Sequence, residues 1–133
     1  MLFFNKQNNE AKKPRVLIVD DNAYQLRLRK ESLSEKYDII LANSGRKALT
    51  SIGFKKPDVI VLDYDMPGLT GIDVLQEIRD DKKAKDMPVI FLTGIDDAKH
   101  RQMIDAMKPF ARLLKPVSSD RLSAVIDEAL ASC

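Results

Sequence analysis

Three stretches of the chain are apolar on both faces at once. They read Arg15-Val16-Leu17-Ile18-Val19-Asp20, Asp58-Val59-Ile60-Val61-Leu62-Asp63 and Pro88-Val89-Ile90-Phe91-Leu92-Thr93. Each is rich in β-branched side chains and too short for an ordinary helix. A strand with one wet face would alternate apolar and polar residues. A strand covered by helices on both sides does not need to. The three runs therefore predict central strands of a parallel sheet. Residues 39–42 and 110–114 carry weaker runs, as edge strands do.

Amphipathic segments separate the runs. Asn22 can cap a helix to about Lys36, packing through Ala23, Leu26, Leu33 and the aliphatic stems of its basic residues. Ser44 can cap a second helix, with Gly53 as its terminating glycine. Residues 70–80 place Ile72, Leu75 and Ile78 at helical spacing, and residues 96–107 do so with Met103, Ile104 and Met107. Ser118 or Ser119 opens the last helix, whose apolar face is Leu122, Val125, Ile126 and Ala129. Five strands alternating with five helices imply a three-layer α/β domain.

The 133 residues suffice for one such domain over 14–133. Residues 1–13 read as a flexible, solvated arm, with Leu2, Phe3 and Phe4 as the alternative, a docking element. The arm carries Lys6, Lys12 and Lys13 against Glu10, which accounts for the whole net charge of +2. The neutral remainder gives no case for direct nucleic-acid binding. No apolar run approaches a membrane span of about 20 residues. One cysteine, Cys133, excludes an internal disulfide framework and a thiolate zinc cage, and the single His100 leaves little for a histidine triad or a multi-histidine metal site. A cytoplasmic location is expected.

The chemistry gathers at the strand ends. Asp20 and Asp21 follow the first strand, Asp63 ends the third, Thr93 the fourth and Lys115 the fifth. In an open parallel sheet these ends share one crevice. Three adjacent carboxylates repel one another unless a hard cation neutralises them, and oxygen ligands suit Mg²⁺ or Mn²⁺. Lysine and hydroxyl add donors for an anion. Together they make a phosphoryl-transfer site with a carboxylate nucleophile. There is no glycine-rich phosphate loop, so the site is not built to hold a nucleotide.

Val19-Asp20-Asp21-Asn22, Leu62-Asp63-Tyr64-Asp65-Met66-Pro67-Gly68, Leu92-Thr93-Gly94 and Leu113-Leu114-Lys115-Pro116 strongly resemble the response-regulator receiver domain of two-component signalling. The intervals are 43 residues from Asp20 to Asp63, 30 to Thr93 and 22 to Lys115. The resemblance runs from about Arg15 to the C-terminus and implies a flavodoxin-like fold with strand order 2-1-3-4-5. It makes Asp63 the phosphoacceptor. It gives Asp21, Asp63 and the Asp65 backbone carbonyl as direct metal ligands, and Asp20 as a ligand acting mainly through water. Thr93 and Lys115 would contact the phosphoryl group, and the Lys115–Pro116 bond would be cis. The implied partners are a sensor histidine kinase or histidine phosphotransfer protein, then an output domain, a docking partner or a second copy. Such a domain is not a classical enzyme; it catalyses only its own phosphorylation and dephosphorylation. Readout would use the face of the fourth helix, fifth strand and fifth helix, which carries Lys99, Arg101, Arg112 and Arg121.

Two positions depart from the family pattern. Arg112 stands where an aromatic switch residue is usual and reads as a surface charge, or else as a partner-binding residue. The segment Met107-Lys108-Pro109-Phe110-Ala111 lacks the usual small residues, so Pro109 should stiffen it and Phe110 should pack on the domain. Two other functions compete. Asp63-Tyr64-Asp65 also suits a haloacid-dehalogenase-type phosphatase, although Pro67 stands where that motif has Thr or Val. A pseudo-receiver would bind partners without phosphorylation. Met1 reads as an initiator, so the chain is expected to be complete or the N-terminal piece of a longer protein.

Overall fold

In the computed structural model, which describes residues 3–5, 10–66 and 68–132, two short strands come first. β1 (Phe3–Asn5) and β2 (Glu10–Lys12) pair antiparallel, with Phe3 opposite Lys12. The sequence reading expected no regular structure there. The docking role raised for Leu2 lies outside the described residues, as do Pro67 of the Asp63 motif and Cys133.

The main sheet holds β3 (Arg15–Val19), β4 (Asp38–Ala42), β5 (Val59–Asp63), β6 (Val89–Thr93) and β7 (Ala111–Leu114). Every neighbouring pair is parallel. The order is β4-β3-β5-β6-β7, or 2-1-3-4-5 counted within this sheet. The helices are α1 (Ala23–Leu33), α2 (Gly45–Lys55), α3 (Gly71–Asp80), α4 (Ala98–Ala106) and α5 (Ser119–Ala131). The expected fold is the observed one.

Strand parity explains why the central runs are apolar throughout. Val16, Ile18, Val59, Val61, Ile90 and Leu92 face one layer, with Leu26 and Leu33 of α1 and Leu122, Val125, Ile126 and Ala129 of α5. Leu17, Val19, Ile60, Leu62, Val89 and Phe91 face the other, with Ala48 of α2, Val74, Leu75 and Ile78 of α3, and Ile104 of α4. Each fully buried aliphatic side chain contributes about 1.5–3 kcal/mol relative to exposure, so both layers resist polar substitution.

Caps set the helix starts. Asn22, Ser44, Thr70, Asp97 and Ser118 each accept a backbone N–H of the first turn. Thr70 and Asp73 complete a reciprocal capping box. Several local expectations need correction. α1 ends at Leu33 rather than Lys36, and Ala23 is exposed. Gly53 lies inside α2, and the left-handed residue that ends the helix is Lys56, with φ 49°. Pro57 follows and cannot continue the helix, so the stop is set by the proline rather than the glycine. Met103 is exposed, and Ile104 alone of the expected α4 face is fully buried. Phe110 does not pack away; it stays 38% exposed beside a groove lined by Arg79, Lys85 and Lys108. Its N–H is held by the Val89 carbonyl, and Lys108, two residues before it, has φ 54°.

Candidate functional site

The carboxyl ends of β3, β5 and β7 open into one cleft of about 460 Å³. It is lined by Asp20, Asp21, Asp63, Asp65 and Lys115, with Asn22, Gln25 and Arg29 on the α1 side. The cleft forms because β3 and β5 are adjacent and end in register, with Val19 opposite Leu62. Asp20, just after β3, and Asp63, the last residue of β5, must then sit side by side. Asp63 and Asp20 are 3% and 5% exposed, and Thr93 is fully buried. Asp21 is exposed at the mouth.

Gly71 allows α3 to start against the end of β5. A methyl group there would lie 2.7 Å from the Asp63 carbonyl oxygen and 2.8 Å from the Phe91 ring. The Gly71 N–H instead reaches the Tyr64 carbonyl. Gly68, with φ 78°, turns the loop between them.

The charges are arranged asymmetrically. Asp63 Oδ1 accepts the Lys115 ammonium at 2.7 Å and the Asp65 N–H at 3.2 Å. Among the described residues no donor reaches Oδ2. The Lys115–Pro116 peptide is cis, as the resemblance implied. Asp20 Oδ1 accepts the Asn22 N–H at 2.9 Å. Burial pushes the Asp20 carboxyl above its ordinary value and the Asp63 charge adds to this, against the Asn22 bond, Lys115 and Arg29. Ionised Asp20 therefore costs stability at neutral pH. Thr93 does not point its hydroxyl at Asp63: it donates to the Ile95 carbonyl at 3.2 Å and accepts the Ile95 N–H at 3.1 Å.

One ligand oxygen each from Asp20, Asp21 and Asp63 lie within 4.8 Å of one another. Hard carboxylate oxygens gathered this closely are the donor set that suits Mg²⁺ or Mn²⁺. The Asp65 side chain is not part of this cluster.

Sequence reasoning missed Arg29. It was counted only for its aliphatic stem, yet its Nε is buried with no hydrogen-bond partner among the described residues, and its charge is felt at Asp20. The only signal for it was position: Arg29 is one turn beyond Gln25 on the face of α1 that meets the cleft.

The proposed readout face is also less cationic than expected. Arg101 Nη1 donates to Asp96 Oδ1 at 2.8 Å, and Arg112 pairs with Asp96 and Asp105. Among the described residues, Lys99 and Arg121 remain without an ion pair. Met103 of α4 and Leu114 of β7 are exposed as well.

Comparison with known proteins agrees with this fold. The model for the response regulator receiver domain matches residues 16–127. The regulatory protein LuxO of Vibrio cholerae is 38% identical over 98 residues, covering 70% of this chain and 20% of LuxO. The response regulator PleD of Caulobacter vibrioides is 33% identical over 128 residues, covering 86% of this chain and 28% of PleD. The chain thus spans less than a third of either protein. Among solved structures, the signal receiver domain of a LuxO repressor protein from Vibrio parahaemolyticus superposes with a TM-score of 0.82 at 30% identity, covering 90% and 92% of the two chains. The chemotaxis protein CheY4 of Vibrio cholerae gives 0.83 at 27% identity, covering 89% and 99%. No described helix is long and apolar enough to cross a membrane. Fold, motif order and a family match over residues 16–127 agree, and the chain belongs to the response regulator receiver domains, the phosphorylation switches of two-component signalling.

Proposed function

We propose that this chain takes a phosphoryl group onto Asp63 from a histidine kinase or histidine phosphotransfer protein, with Mg²⁺ or Mn²⁺, and changes partner binding through the α4–β7–α5 face. The observation that carries this reading is the buried Asp63 carboxylate. One of its oxygens is held by Lys115, and the other has no described donor beside the acidic cluster.

In the step proposed, an Asp63 oxygen attacks phosphorus as the bond to the donor's imidazole nitrogen breaks. The nitrogen leaves with the electron pair and the product is an acyl phosphate. Lys115 then balances charge on a phosphoryl oxygen, and the Thr93 hydroxyl turns from Ile95 to donate to another. Asp21, Asp63 and the Asp65 carbonyl would hold the cation, with Asp20 acting mainly through water. The cation would supply charge neutralisation on the transferred group. Water attack on phosphorus returns free Asp63 and phosphate, so the domain resets itself without a second substrate.

The family match removes the ground for a dehalogenase-type phosphatase, which rested on Asp63-Tyr64-Asp65. The cluster, Thr93 and Lys115 together support phosphorylation over a pseudo-receiver. A cytoplasmic setting, an output domain, a docking partner and a second copy belong to the same proposal. Incubation with acetyl phosphate tests it: intact mass should rise by one phosphoryl group, only with the divalent cation present. No adduct under any of these conditions would favour the pseudo-receiver.

A further inference from the structure

Arg112, read from the sequence as a surface charge or else a partner-binding residue, is 25% exposed and pairs with two acids. It lies on β7 in register with Phe91, two residues before Leu114, the partner of Thr93. Its Nη1 is 3.7 Å from Asp96 Oδ1 and its Nε is 3.4 Å from Asp105 Oδ1. Asp96 immediately precedes the N-cap of α4, and Asp105 is in the last turn of that helix. One guanidinium therefore bridges the loop before α4 and the last turn of that helix. Arg101 shares the same Asp96 oxygen, at 2.8 Å, and also reaches the Asp96 carbonyl.

The loop that leads into α4 is thus held twice. From the sheet, Thr93 exchanges two hydrogen bonds with Ile95. From the outer face, Arg112 and Arg101 hold Asp96. A phosphoryl group that engages the Thr93 hydroxyl removes the bond to the Ile95 carbonyl, but leaves the Arg112 pairs in place. They then oppose any displacement of α4.

We infer that Arg112 is a positioning residue acting as a polar latch, whose pairs with Asp96 and Asp105 hold α4 in its unphosphorylated arrangement. The inference rests on the phosphoryl reading above. A ligand that favours the displaced arrangement binds more weakly while the latch holds, by the fraction of molecules it keeps closed. Partly exposed ion pairs are individually weak, so the effect is a modest bias rather than a block.

The test compares the unsubstituted chain with Arg112→Gln, Arg112→Lys and Asp105→Asn. Beryllofluoride with Mg²⁺ serves as the phosphoryl mimic. Arg112→Gln should bind it about three-fold more tightly at low salt, and the gain should shrink at high salt. Arg112→Lys should restore most of the resting affinity. Arg112→Gln combined with Asp105→Asn should gain less than the product of the single gains. Without any mimic, amide exchange over residues 96–107 should quicken by a similar factor in Arg112→Gln. Equal or weaker mimic binding together with unaltered exchange would overturn the latch. If the unsubstituted chain binds no mimic, the phosphoryl reading fails instead, and unaltered exchange in Arg112→Gln would then by itself overturn the latch.

Discussion

The Lys115 ammonium sits 2.7 Å from Asp63 Oδ1, and β5 and β7 are not neighbours: β6 lies between them. The ion pair therefore spans the mouth of the sheet. It offsets the burial of a carboxylate that also faces Asp20. Removing one partner of such a pair leaves the other uncompensated.

Lys115→Met should accordingly lose about 1–3 kcal/mol of stability in the absence of divalent cations, less than for a fully buried pair because Lys115 is partly solvated. Saturating Mg²⁺ should recover much of that loss, since it supplies the missing positive charge. Calorimetric melting with chelator and with Mg²⁺ checks both parts.

The metal response should depend on Asp21. At a hundredfold excess over Kd, binding adds about 2.7 kcal/mol. Asp21→Ala should abolish most of the resulting rise in Tm. Arg29→Leu should act oppositely on cation and anion. Mg²⁺ should bind a few-fold more tightly once a competing positive charge is gone, and beryllofluoride a few-fold more weakly at saturating Mg²⁺. Titrations of both ligands against the same variant read the two signs directly.

Two glycines should respond in opposite directions. Gly53 lies inside α2 with nothing within 4 Å of an added methyl group. Gly53→Ala should stabilise the domain by about 0.5–1 kcal/mol. Gly71→Ala would push on the Asp63 carbonyl and the Phe91 ring. It should cost about 1–3 kcal/mol and slow phosphoryl acceptance as well. Urea melts, with labelling rates for Gly71→Ala, separate them.

These positions show where the sequence was legible. The sheet could be read because burial on both faces leaves a signature in nearly every residue of β3, β5 and β6, and because each acidic or hydroxyl residue at a strand end has one place to go. The candidate cluster could be proposed for the same reason: Asp20, Asp21, Asp63 and Lys115 meet in one cleft, whereas the Thr93 hydroxyl is turned to Ile95. Arg29 and Arg112 could not. Their roles depend on which side chains a helix and a neighbouring strand bring to them, and a basic residue in an amphipathic pattern carries no mark of that. Gly53 misled because the stop of α2 is written one step later, in Lys56-Pro57. The β1–β2 pairing had only two short polar-flanked segments to announce it.

A polar cluster beyond the C-terminal end of α1 contributes to the pH response. The Tyr37 hydroxyl bonds to Asp127 and Ser123 on α5, and Lys36 reaches the same Asp127. Burial pulls the Asp127 carboxyl up, but the bonds from Lys36 and Tyr37 outweigh it and hold it below its ordinary value. Burial and then the Asp127 bond raise the Tyr37 hydroxyl. A lowered acid stabilises the fold above its unfolded pKa of about 3.9, and that contribution is lost as pH falls through the folded value. A raised phenol stabilises below its unfolded pKa of about 10, and that contribution is lost as pH rises through the folded value. Tyr37→Phe should therefore cost about 1 kcal/mol near neutrality. Its difference from the unsubstituted chain should narrow below about pH 4 and again above about pH 10, as denaturant melts across pH would show.

The most direct test of the account is the identity of the phosphorylated atom. The chain is treated with acetyl phosphate and Mg²⁺, the acyl phosphate is reduced with borohydride, and the peptides are mapped by mass spectrometry. The account predicts conversion of Asp63 alone, dependent on Mg²⁺ and absent in Asp63→Asn. Labelling at another residue, or undiminished labelling of Asp63→Asn, would contradict it.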